Sequence, residues 1–265
     1  SCTRVKVESG LHEFSMLTLA IIGFVGLGFM TAERIWPDQQ LPHSPNWWFR
    51  AIVFNLLQLG VVIMGGVAWD IYLQRMNLLG LGEIIDSPVL QGGIGYVVSS
   101  FIYYWWHRIR HMSELTWRVF HQVHHSPVRL ETITAFYKHP IELVANSILS
   151  GMIGYTLLGL SIEGSAWMTM LSALGEFFYH MNVKTPRWLG YIIQRPEMHR
   201  IHHERDKHTS NFGDLPIFDI IFGTFVNPPT YQGPCGFEEP RESQVMDMLL
   251  FRDVNQTPDE YAKES

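Results

Sequence analysis

Val89-Leu-Gln-Gly-Gly-Ile-Gly-Tyr-Val-Val-Ser-Ser-Phe-Ile-Tyr-Tyr-Trp-Trp106 runs without a charge into His107-Arg-Ile-Arg-His111, and His121-Gln-Val-His124-His125 follows. The apolar run is near the ~20 residues that cross a bilayer as a helix, and it ends on imidazoles. Farther along, His199-Arg-Ile-His202-His203 repeats the second histidine string. Spacings of three and four residues put side chains on one face of a helix, a turn apart, where they can share a metal. Eight of the 13 histidines lie in these three clusters. One structural zinc needs only four ligands, so the count points to two metals held by His107, His111, His121, His124, His125, His199, His202 and His203.

Outward from the clusters, further apolar stretches occupy about Phe14–Met30, Ala51–Trp69, Ile141–Leu160 and Ala166–Phe178. Each is near the length of a membrane span, the last one being short. Mean hydropathy is only +0.05, but that figure averages apolar windows with a long polar portion, and the windows decide. The fold class expected is all-α: a polytopic membrane protein with four to five transmembrane helices and a cytosolic helical cap holding the dimetal site. The whole of 1–265 reads as one integral membrane domain. Residues 14–106 supply the N-terminal helices, 107–214 the histidine region with the 141–178 hairpin, and 215–265 an interfacial segment and tail. Trp36, Trp47, Trp48, Tyr103, Tyr104, Trp105 and Trp106 fit an interfacial aromatic belt.

Arg108, Arg110, Arg118, Arg129 and Lys138 surround the first two clusters, and Lys184, Arg187, Arg195, Arg200, Arg205 and Lys207 the third. The positive-inside rule then puts all three clusters on the cytoplasmic face, with the turn at Leu160-Ser-Ile-Glu-Gly-Ser165 on the other side. With all five stretches spanning, the N-terminus lies outside; with one re-entrant, inside. The first stretch reads as an anchor, since it lacks a small-residue cleavage site. Cys2 and Cys235 are the only cysteines, too few for a disulfide framework or a thiolate metal site. A net charge of −6 argues against a nucleic-acid partner. Leu215–Phe225 is too short to span and reads as an interfacial segment or lid. Asn227–Gly236 reads as a loop, and the acidic tail after it as solvated surface.

The histidine clusters, together with His125-Ser-Pro, Thr134-Ala, His139-Pro-Ile-Glu142, His180-Met-Asn182, Asn211-Phe-Gly213 and Phe222-Gly-Thr-Phe225, resemble the fatty acid hydroxylase and sterol desaturase superfamily from about Val89 to Pro228. The resemblance implies an integral membrane oxygenase whose two irons, held by histidines at the cytosolic face, hydroxylate or desaturate a lipid-like substrate with O2. It also supports His180, at the end of the returning helix, as a ninth ligand. Fatty acid 2-hydroxylase relatives carry another histidine four residues on, where this chain has Lys184; that departure leaves a tenth ligand in doubt and one metal position open.

Imidazole suits iron, zinc, copper and nickel alike, so iron enters through the resemblance. His139, beside Pro140, is expected to be no ligand. With His208, Asp206, Asn211 and Glu176 it forms a set expected to support the ligands or meet substrate. Glu131, Glu142 and Asp214 are further carboxylates of that kind, and Glu176, inside an apolar stretch, should need a partner. His12 and His43 read as surface residues. The function expected is hydroxylation, favoured over desaturation, of a lipid, sterol or other hydrophobic substrate. No flavin, haem or iron–sulfur motif appears, so an external electron donor is implied: a ferredoxin, a rubredoxin or a cytochrome b5-like protein. The alternatives are a zinc-dependent membrane hydrolase and a metal transporter; a transporter would place its ligands near the bilayer midplane.

Overall fold

The computed structural model describes residues 2–255, with side chains described from residue 17 on. The expectations for Cys2 and His12 fall outside the described side chains, as does the tail beyond residue 255. Five long helical segments build the body: α1 (Cys2–Ile35), α2 (Trp47–Ala68), α3 (Pro88–Arg110), α6 (Pro140–Gly151) and α7 (Ile162–His180). Short helices carry the polar end: α4 (Glu114–Phe120), α5 (Gln122–His125), α8 (Pro196–His202), α9 (Pro216–Phe222) and α10 (Val245–Leu249). No strand occurs among the described residues beyond one isolated bridge, Glu204 to Cys235.

Local chemistry fixes the ends of these helices. Ser87 caps α3, accepting from Leu90 N at 3.3 Å with Pro88 at the first helical position. Ser161 caps α7, accepting from Gly164 N at 3.0 Å. These side chains satisfy backbone donors that a helix leaves orphaned. The last turn of α3 carries His107, Arg108 and Arg110, where the helix dipole favours positive charge. After Gly151, α6 widens into a π turn, Met152–Leu157. Gly92 lets α3 approach α7 closely: a Cβ there would meet Trp167 Cβ at 2.3 Å.

The five segments alternate in direction, so one end of the molecule collects the chemistry. At that end Glu33 of α1 accepts from Thr132 N (2.9 Å) and Asn182 N (3.0 Å), and Asp38 pairs with Arg200. At the opposite end Leu78 N donates to Thr156 O (2.9 Å) and Gly82 N to Gly159 O (2.8 Å).

Two helical segments, Leu17–Ile35 and Trp47–Ala68, are long and apolar enough to cross a membrane. They are not hidden core helices, because Phe24, Leu27, Leu56 and Val67 are each at least 60% exposed. An apolar surface of that size needs hydrocarbon or a partner around it. The remaining three stretches are helical but carry more polar groups: α3 ends on two arginines, α6 is interrupted by its π turn, and α7 holds Glu163 and Glu176.

Two expectations change. Trp47 (3% exposed) and Tyr104 (0%) are core residues, not belt residues. Trp47 stacks on Tyr137 at 5.5 Å, and Tyr104 on Phe222 at 5.3 Å. The acidic tail is not wholly solvated surface either. Phe237, Met248 and Val254 are buried in one cluster with Trp47, Phe54, Val123 and Tyr137. Within the same segment Glu242, fully buried, accepts from Ser44 (2.7 Å) and pairs with Arg50 (3.1 Å). Its apolar residues outweigh its charges once α2 offers a face to cover.

Candidate metal centre

Nine imidazoles from four places in the chain converge at the polar end. They fall into two groups, within each of which one nitrogen per ring lies within 4.8 Å of all the others. One group is His107, His111, His121, His125 and His202; the other is His124, His180, His199 and His203. All nine positions picked out in the sequence are therefore brought together, and both groups are largely buried.

The partition follows helix geometry. In each H-x2-H-H string the first and last histidines are four residues apart and the middle one is offset from the last by about 100° around the helix. His121 and His125 accordingly face the first group while His124 turns to the second. In the other string His199 and His203 face the second group and His202 turns to the first. The two strings exchange one residue each. The His121–His125 string is not one continuous helix, however: His121 sits at a break (φ −141°) between α4 and α5.

The outer nitrogens of four of the nine rings are held by backbone carbonyls. Nδ1 of His107 lies 2.8 Å from Phe212 O, that of His180 2.7 Å from Glu176 O, that of His202 2.9 Å from Ser210 O and that of His124 3.3 Å from Tyr137 O. A carbonyl only accepts, so each Nδ1 carries the hydrogen, and each Nε2 is left as a lone pair facing inward. Nε2 of His107, His111, His121, His125 and His202 is buried with no hydrogen-bond partner. His199 Nε2 lies 3.1 Å from Nε2 of both His180 and His203. Buried polar atoms are ordinarily satisfied. So many orphaned lone pairs pointing at common centres suit a cation, and the residues fit a metal at each group.

Electrostatics agree. Burial first, then repulsion from neighbouring imidazoles and cations, holds His121, His124, His125, His199 and His203 well below the ordinary imidazole value. Burial lowers His202 to about 3. The rings are neutral at physiological pH, the form that ligates metal.

The other expected residues stand outside the two groups. His139 caps α6, its Nδ1 accepting from Ile141 N at 3.1 Å, while Nε2 faces Leu249 O at 3.3 Å and the ring lies 5.0 Å from that of Phe251. It belongs to the attachment of the C-terminal segment, not to the centre. His208 stacks on Trp117 (5.0 Å) beside His125 (4.6 Å), with Nδ1 3.2 Å from His202 O. Glu176 finds its partner in Lys138, at 2.5 Å, and serves His180 through its backbone carbonyl. Asp206 lies on an exposed turn with φ 60°, outside the hydrogen bonds of the centre. Asn211, also in the left-handed region, binds Met198 O and Val226 O through its amide nitrogen and accepts from Val226 N. It sets the backbone of Phe212, which in turn holds His107.

Glu142, fully buried, is the one carboxylate among the described residues bonded to these imidazoles. Its Oε1 takes His121 Nδ1 at 3.2 Å and pairs with Arg110. Glu131 pairs instead with Arg34 and Arg129. Asp219 was not singled out by sequence, although an acid among the apolar residues of Pro216–Phe222 should need partners. It accepts from Phe212 N (2.8 Å), Gly213 N (2.9 Å) and Thr224 Oγ1 (2.7 Å). Gly223, at φ 75°, ends α9 in a conformation that favours glycine and turns Thr224 back to that carboxylate. Gln122 was also missed; between His121 and His124 it accepts from Val254 N and donates to Arg252 O.

Residues 93–224, the segment that holds all nine imidazoles, match the fatty acid hydroxylase family. The chain belongs to the fatty acid hydroxylase and sterol desaturase superfamily. It is 34% identical over 140 residues to ornithine lipid hydroxylase OlsE of Rhizobium tropici, covering 51% of this chain and 42% of that protein. Alkylglycerol monooxygenase of Danio rerio is 34% identical over 211 residues, or 77% of this chain and 46% of that one. Protein CER1-like 1 of Arabidopsis thaliana is 26% identical over 210 residues, or 74% and 29%. The chain thus spans less than half the length of these relatives. No solved structure gives a significant match.

Proposed function

We propose that this protein is a membrane di-iron oxygenase that hydroxylates a C–H bond of a lipid or other hydrophobic substrate. The observation that carries the reading is the set of inward, unpartnered imidazole nitrogens in two adjoining groups, in a chain whose relatives are named lipid hydroxylases and monooxygenases. The overall change is R–H + O2 + 2e⁻ + 2H⁺ → R–OH + H2O. The metals supply the oxidising power that no side chain has. The protein's own residues hold the ligands neutral, fix their tautomers and keep water out of the centre.

Proposed ligands are His107, His111, His121, His125 and His202 for one iron and His124, His180, His199 and His203 for the other. Five membrane-crossing segments (α1, α2, α3, α6 with its π turn, and α7) support this centre on the cytoplasmic side, where the arginines and lysines cluster. An acyl chain then reaches the centre from the bilayer core while its polar end stays at the interface. The exposed Ile217, Ile220 and Ile221 of α9 suit an interfacial position. An external carrier (ferredoxin, rubredoxin or cytochrome b5-like) supplies electrons to the basic face.

The test is isotopic. Membranes containing the protein, a reducing system and lipid are incubated under ¹⁸O2, and lipid extracts are weighed by mass spectrometry. A product heavier by one ¹⁸O atom, absent without O2, is expected. Label arriving only from H2¹⁸O would replace oxygenation by hydrolysis.

A further inference from the structure

The imidazoles of the two groups are neutral ligands, so two divalent cations bring a buried charge that the ligands do not offset. Where that charge is answered is visible in the outer contacts. His107, His124, His180 and His202 are held by backbone carbonyls, which are dipoles without net charge. His121 alone is held by a carboxylate, Glu142 Oε1 at 3.2 Å. That carboxylate is 0% exposed, its second oxygen has no partner, and its counter-ion Arg110 is 5% exposed. Arg110 Nη1 also lies 3.2 Å from His121 Nδ1. An arginine offers only donors, and Glu142 only acceptors while ionised, so the His121 hydrogen goes to the carboxylate.

We infer that Glu142 is a positioning residue that makes the two metal positions unequal: through His121 it raises the basicity of one ligand of the five-histidine group, while in the four-histidine group His124 and His180 rest on backbone carbonyls and the Nδ1 atoms of His199 and His203 have no partner. This rests on the reading of the two groups as metal sites, but not on which metal they hold. A carboxylate behind a ligating histidine fixes the ring and strengthens its donation, and losing such a partner typically costs about 10–100-fold in metal affinity. Gln in its place keeps an acceptor for His121 and the shape, but loses the charge.

Cobalt(II) is the probe, since its visible absorption reports each site separately. The full chain, purified in detergent and stripped of metal, is titrated with cobalt while absorption and bound metal are followed. Two binding steps with distinct spectra are expected in the wild type; two indistinguishable sites overturn the inference. Glu142→Gln should weaken one step by about 10–100-fold and shift its bands, with the other step unmoved. Glu142→Asp, which keeps the charge, should bring the weakened step back toward wild type. Both steps unchanged, both weakened equally, or no recovery with Asp would reduce Glu142 to a packing role. Because no native metal enters the titration, failure of the iron reading shows separately, in the metal content of the protein as isolated.

Discussion

His125 and His203 lie face to face, ring centroids 4.1 Å apart at 18°, although one belongs to the five-histidine group and the other to the four-histidine group. Their contact is where the two candidate metal positions adjoin, and it joins the two H-x2-H-H strings directly. Neither ring can move without disturbing the other group.

Replacing either ring should therefore be felt at both sites. His125→Ala and His203→Ala are each expected to lower bound metal below one ion per chain and to abolish turnover. Elemental analysis of the purified variants checks this. Retention of full metal content by both variants would separate the two groups.

Asp219 should matter without touching an imidazole. Asp219→Ala leaves two backbone donors and a hydroxyl around Phe212, Gly213 and Thr224 without their acceptor, at a cost of about 2–5 kcal/mol. It should also loosen metal in the His107 group, because Phe212 O holds that ring. Unfolding in detergent compares it with Asp247→Ala, which removes an exposed pair with Arg252 and should cost about 0–1 kcal/mol.

Cys235 should be inert. It is 8% exposed, and burial pushes its thiol up to about 12. The thiolate is the reactive form, so the rate of alkylation in a Cys2→Ser background should stay negligible from pH 7 to 9. Label should enter only when the protein is unfolded; rapid native labelling would show that the Arg205–Gly236 region opens.

Topology can be read with cysteines at exposed positions. Ser126 and Ser165 flank the relevant ends but are buried, whereas Lys207 and Arg75 are exposed at opposite ends of the helices. In sealed vesicles Lys207→Cys should label from the cytoplasmic side and Arg75→Cys from the other. Labelling of both from one side would contradict a body of spanning helices.

The histidines and long helices were legible in the sequence because both obey a period: three and four residues for the histidines, a run of apolar residues for the segments. His180 was legible through its place at the end of a returning helix. The partition of each string was not read, though it follows from the same helix geometry, because nothing in one string shows where its partner stands. Trp47 looked like a belt residue and the segment after Gly236 like solvated tail for a common reason. Their burial depends on each other and on Tyr137 and Val123, a contact between distant parts of the chain that no local pattern records. Asp219 and Glu142 carried the one usable clue, acids among apolar residues, but which imidazole each would serve required the fold.

The central claim is a centre for two irons built from nine imidazoles. Its most direct test is the metal content of the full chain as isolated, measured by elemental analysis against protein concentration. About two irons per chain is the expected result, falling in His124→Ala and His202→Ala. Stoichiometric zinc without iron, or two irons retained in both variants, would contradict it.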